Sequence, residues 1–100
     1  MIPIEELEAL RRAAIEALQR LQRQFESVGL TWLVLDHGAL SDNEESHTVE
    51  LRIWFYRDGE PVDFLEFFLF HDGAVVASEE DIRSWVEKDA MDVIAKQRQE

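Results

Sequence analysis

Apolar residues recur with helical spacing near both ends of the chain and with strand spacing between them, and this change of period is the first structural information in the sequence. In "PIEELEALRRAAIEALQRLQRQFESVG", Ile4, Leu7, Ala14, Leu18, Leu21, Phe25 and Val28 fall on one stripe. Arg11 interrupts it, and Leu10 and Ile15 widen it. Pro3 suits a first helical turn, the early glutamates Glu5, Glu6 and Glu8 suit the positive end of a helix dipole, and Gly29 ends the segment. The spacing predicts one amphipathic helix from Pro3 to about Val28. Alternating three and four spacing also fits a coiled-coil seam, but an alanine and an arginine within it favour a helix laid on a sheet.

The segment "LTWLVLD" predicts a strand over about 30–36, apolar on both faces. "HGALSDNEESH" has no period and reads as a solvated loop. Two longer strands follow at about 47–57 and 61–70, and "AVVA" at 74–77 predicts a fourth. Ser78 followed by Glu79, Glu80 and Asp81 has the form of a capping box. Behind it, Ile82, Trp85, Val86, Ala90, Val93 and Ile94 make the apolar stripe of a second helix to about residue 96. The expected fold is α+β and two-layer: a four-stranded antiparallel meander with N-terminal and C-terminal helices, in the order α-β-β-β-β-α.

Two connections, Arg57-Asp58-Gly59 and His71-Asp72-Gly73, suit either a three-residue loop with glycine as a bulge or a two-residue Asp-Gly turn. Register discriminates between them. A two-residue turn sets Leu51 opposite Glu66, inside an apolar face. A three-residue loop pairs Leu51 with Leu65 and Val49 with Phe67, and leaves Glu66 on the other face beside Glu50 and diagonal to Arg52, so the longer loop is expected.

One face of the sheet then carries Val49, Leu51, Ile53, Phe55, Leu65, Phe67, Leu69, Val75 and Ala77, half of a core that helices can cover. The other carries Trp54, Tyr56, Val62, Phe64, Phe68, Phe70 and Val76 with Glu50, Arg52 and Glu66. A half-buried antiparallel sheet normally places polar residues on its second face. Five large rings exceed the few hundred Å² of apolar patch that monomers usually leave open. One helix on each face would cover them internally, and an apolar ligand between helix and sheet is a further alternative. The favoured expectation puts both helices on the first face and leaves the second for another chain. Arg52, Trp54, Tyr56, Phe64, Phe68 and Phe70 are the candidate partner interface, and Trp54, Tyr56 and Arg52 among them are of the types that dominate binding energy.

Charge restricts the partner. Of 22 acidic and 10 basic residues, 13 acidic side chains lie in 31–82 against only Arg52 and Arg57. Direct nucleic-acid or anionic-membrane binding needs the opposite sign. Asp42, Glu44, Glu45, Glu50 and Glu66 are instead read as an acidic rim open to a basic protein partner. Segregated acidity also permits mimicry of a phosphate backbone, as an inhibitor of a basic nucleic-acid-binding protein.

The remaining chemistry is sparse. At 100 residues one domain spanning 1–100 is expected. Without cysteine there is no thiol nucleophile or disulfide, and the N-terminal sequence has neither a basic leader nor a membrane-length apolar run, which together predict a cytoplasmic protein. His37, His47 and His71 lack metal-ligand spacing, Glu50 with Glu66 is better explained by Arg52 between them than by acid–base work, and no serine sits in a nucleophile elbow. No catalytic residue, cofactor or metal is expected. The sequence points to a small acidic, non-catalytic interaction module of inhibitor, immunity or chaperone-like kind, homodimeric through its aromatic sheet face.

Overall fold

The computed structural model describes residues 4–37, 48–71, 74–75 and 77–99. Helix α1 spans Ile4–Arg20 and α2 spans Gln22–Ser27; strands β1 (Thr31–His37), β2 (Thr48–Arg57) and β3 (Glu60–His71) follow, then a two-residue β4 (Ala74–Val75) and helix α3 (Glu79–Arg98). The protein is α+β, with helices toward both ends of the chain and an antiparallel sheet between them. Among the described residues, three full strands build that sheet in the order β1-β2-β3. The expected fourth, at 74–77, is reduced to Phe70 paired with Val75 and His71 with Ala74, and Ala77 is already outside it.

The single N-terminal helix expected from periodicity is broken at Leu21, whose ψ of 8° leaves the helical region. Leu21 N–H is held by the Leu18 carbonyl at 3.0 Å, and its own carbonyl accepts from Phe25 N–H at 3.0 Å, so the ladder resumes one turn later. Leu21 and Phe25 remain buried across the break. At Gly29 the chain enters the left-handed region (φ 72°), which allows Leu30 N–H to reach Phe25 O at 2.9 Å and Gly29 N–H to reach Glu26 O at 3.1 Å. This pair of bonds is a Schellman stop, and it turns the chain straight into β1.

The first hairpin corrects the expected loop. Asp58 (φ 53°) and Gly59 (φ 81°) both have positive φ, and Arg57 pairs with Glu60, so the connection is a two-residue turn of type I′. Its mirror-image twist matches the right-handed twist of the strands it joins. The face assignment survives because β3 carries one extra residue, Val62, between Pro61 opposite Tyr56 and Asp63 opposite Phe55. Leu51 therefore faces Phe67, two residues beyond the expected Leu65, and Val49 faces Phe70 after a second irregularity. Between the two irregularities the shift of two preserves every side chain's face. Glu66 leaves the core side as expected, but stands opposite Arg52, while the residue opposite Glu50 is Phe68. At the second connection His71 pairs with Ala74, and the two residues between lie outside the described ones.

Both helical segments lie on one side of the sheet. The buried residues form one cluster in which Leu10, Ala14, Leu18 and Phe25 meet Leu51, Ile53, Phe55 and Leu69 of the sheet and Ile82, Val86, Ala90 and Ile94 of α3. Phe25 and Phe55 pack with ring centroids 5.6 Å apart. Trp32 Nε1 donates to Gln22 Oε1 at 3.2 Å, tying β1 to α2, and Arg83 Nε lies 3.1 Å from Glu16 Oε2 between α3 and α1. Ser78 caps α3 as read from sequence: Asp81 N–H donates to Ser78 Oγ at 3.0 Å and Ser78 N–H to Asp81 Oδ2 at 3.1 Å. Trp85, expected in the core, is 40% exposed, because Ile82 and Val86 already fill the side of α3 that meets the core.

Candidate interaction face

The other side of the sheet is built by strand alternation alone. Along β2 the buried Val49, Leu51, Ile53 and Phe55 alternate with Glu50, Arg52, Trp54 and Tyr56; along β3 the core-side Leu65, Phe67 and Leu69 alternate with Phe64, Glu66 and Phe68. On β1, Val34 is buried while Leu33 and Leu35 point outward. Hydrophobic periodicity placed the β2 and β3 members of this face but not the β1 members. "LTWLVLD" is apolar at nearly every position, and the long segment before β2 leaves its register with β2 undetermined.

Cross-strand pairing sorts the face into rows. Leu33, Trp54 and Phe64 are direct neighbours across three strands, and the Trp54 and Phe64 rings stack at 5.0 Å with planes 28° apart. Two residues along, the row is Leu35, Arg52 and Glu66; two further, Glu50 lies beside Phe68. On the other side, toward the hairpin tip, Tyr56 pairs with Thr31 and Pro61, and Val62 lies next to it on β3.

Leu33 (46%), Phe64 (46%) and Phe68 (53%) are as open as many surface polar residues, and Leu35 and Val62 are similar. Trp54 and Tyr56 are half-buried by their neighbours within the layer. The apolar surface that these residues leave open is about 500 Å², at the upper end for a monomer.

The polar members of the face satisfy one another. Arg52 Nη2 donates to Glu50 Oε2 at 3.3 Å, and Arg52 Nε lies 3.1 Å from Glu66 Oε1, an oblique approach that makes an ion pair without a hydrogen bond. One guanidinium thus serves two carboxylates, leaving a local excess of one negative charge. Of the expected interface, Arg52, Trp54, Tyr56, Phe64 and Phe68 are brought together here; the Phe70 side chain lies outside the described residues. Of the expected rim, Glu50 and Glu66 sit within the face, and Asp42, Glu44 and Glu45 lie outside the described residues, as do the side chains of His37, His47 and His71.

Among the described residues no three histidines or carboxylates converge as metal ligands, and no helix is long and apolar enough to cross a membrane. Comparison with protein-family models, with curated proteins and with solved structures found no match to this chain.

Proposed function

We propose that this chain is a non-catalytic protein-interaction module, an inhibitor, immunity or chaperone-like protein of the cytoplasm, that self-associates as a dimer through the open face of its sheet. The observation that carries this reading is the placement of both long helices on one side, which leaves Leu33, Leu35, Phe64 and Phe68 in water on the other. A standard interface removes about 800 Å² from each partner, of which a little over half is apolar, and the open surface of this face matches that share.

Sedimentation velocity over a range of concentrations tests the reading. The expected result is a dimer at about 50 micromolar that becomes a folded monomer on Phe68→Ala with Leu33→Ala. A wild-type monomer at that concentration, together with unchanged behaviour of the double variant, overturns it.

A second reading follows from the unequal ion cluster. Two carboxylates share Arg52 on a chain of net charge −12, so the same face has room for a lysine or arginine of a basic protein partner, including one whose nucleic-acid site the acidic surface occupies. Binding of that kind weakens as salt is raised.

A further inference from the structure

Resting on the dimer reading above, we infer that the two copies meet sheet to sheet, with strands antiparallel, about a two-fold axis that runs across the strands along the Leu33–Trp54–Phe64 row. The rows of the face decide this. An isologous contact must place each row against itself or against its mirror position across the axis. The Leu33–Trp54–Phe64 row is uncharged and flanked on one side by the Tyr56 row and on the other by the Leu35–Arg52–Glu66 row. With the axis on this row, Trp54 faces its own counterpart, the stacked Trp54 and Phe64 rings form the dry centre, and Tyr56 of each copy covers Arg52 of the other.

Charge excludes the other simple choice. An axis running along β2 would stack Glu50 on Glu50 and Arg52 on Arg52 of the second copy and set each Glu66 over the apolar Leu35, across the ~10 Å that separates packed sheets. Four carboxylates would then share two guanidinium groups in a desolvated contact. With the axis on the Trp54 row, the two Arg52 rows are displaced by four residues along the strands, about 14 Å, and each reaches the rim of the contact.

The absence of native cysteine makes the geometry directly readable from single-cysteine variants. Phe64→Cys lies on the axis and faces itself. Phe68→Cys lies four residues away, so its two copies are separated by about 27 Å, beyond a short bismaleimide spacer. With the axis along β2 both positions, one strand away from it, would be equally far from their counterparts and would cross-link alike.

The expected result is a covalent dimer of Phe64→Cys formed at least about tenfold faster than that of Phe68→Cys, because only the former holds its thiols at high effective concentration. Leu33→Cys, on the same row, gives the same test if Phe64→Cys fails to fold or to associate. Cross-linking of Phe68→Cys as fast as that of Phe64→Cys overturns the proposed axis, and so does a wild-type dimer in which neither row position cross-links. A wild-type chain that is monomeric by sedimentation overturns the dimer reading itself, which separates the two failures.

Discussion

Arg52 and Glu66 stand directly opposite each other on β2 and β3, 3.1 Å apart, although the turn that joins these strands would by itself have set Glu66 opposite Leu51. The extra residue at Val62 makes the difference. It lies beside Pro61, which has no N–H to give to the ladder, so the irregularity falls where the sheet loses least. The pairing of Arg52 with Glu66 is therefore the visible result of a bulge several residues away.

Removing Arg52 leaves Glu50 and Glu66 together on a partly shielded surface. Arg52→Ala is expected to lower stability by about 1 kcal/mol, since its ion pairs are partly exposed and screened. Glu66→Gln should cost less, because Glu50 still pairs with the guanidinium. Urea unfolding of the two single variants and the wild type measures both, and equal losses would show that the cluster contributes nothing specific.

The Asp58-Gly59 turn makes a sharper prediction. A Cβ on Gly59 would meet no atom within 4 Å, so any loss on Gly59→Ala comes from the backbone at φ 81° and not from a clash. The expected loss is about 1 kcal/mol. Asp58→Asn should be neutral or stabilising, since Asn-Gly is the preferred pair for this turn. Thermal melts of both variants report the contrast; a Gly59→Ala variant as stable as the wild type would contradict the turn type.

At the start of α3, Ser78→Ala removes the acceptor for Asp81 N–H and is expected to destabilise the protein by about 1 kcal/mol. Ser78→Asp should retain most of that stability, because its carboxylate can accept the same bond at a helix N-terminus. Chemical denaturation monitored by far-ultraviolet circular dichroism distinguishes the two variants.

The two faces of the sheet should respond differently to truncation. Ile53 is wholly buried, and Ile53→Ala is expected to cost about 2–5 kcal/mol at any protein concentration. Phe68→Ser should cost little in a dilute sample and show its effect in the concentration dependence of unfolding, as expected when stability is linked to assembly. A large loss for Phe68→Ser in dilute monomer would place this ring in an internal core.

Salt offers a separate check on the partner. Two copies each carrying a net charge of −12 repel, so added sodium chloride should strengthen self-association while weakening any contact with a basic protein. Sedimentation at 50 and 500 millimolar salt distinguishes the signs.

Local rules carried most of the sequence reading. The Ser78 cap, the division of β2 into a buried and an open face, and the placement of both Glu50 and Glu66 with Arg52 all follow from spacing and capping chemistry. What spacing could not resolve was set by tertiary structure. The break at Leu21 leaves the apolar stripe continuous, so periodicity has nothing to report there. Trp85 shares the stripe of α3 but is displaced from the core by Ile82 and Val86. Leu33 and Leu35 entered the face only once β1 had a register against β2. Turn length escapes the hydrophobic pattern, because a bulge and a longer loop place side chains on the same faces and the pattern senses only the face.

The compact turn at Asp58-Gly59 also bears on how the chain assembles. A two-residue connection brings β2 and β3 together through the shortest possible loop, whereas the ion pair between Glu16 and Arg83 joins residues 67 apart in sequence. Chain entropy therefore favours the hairpin contact over the helix contact, and a hairpin without the helical layer has both faces bare. The rings of β3 then lie bare on the side that stays open, and the core residues of β2 on the side that α1 and α3 cover. Covering that second side is the part of folding that removes aggregation-prone surface.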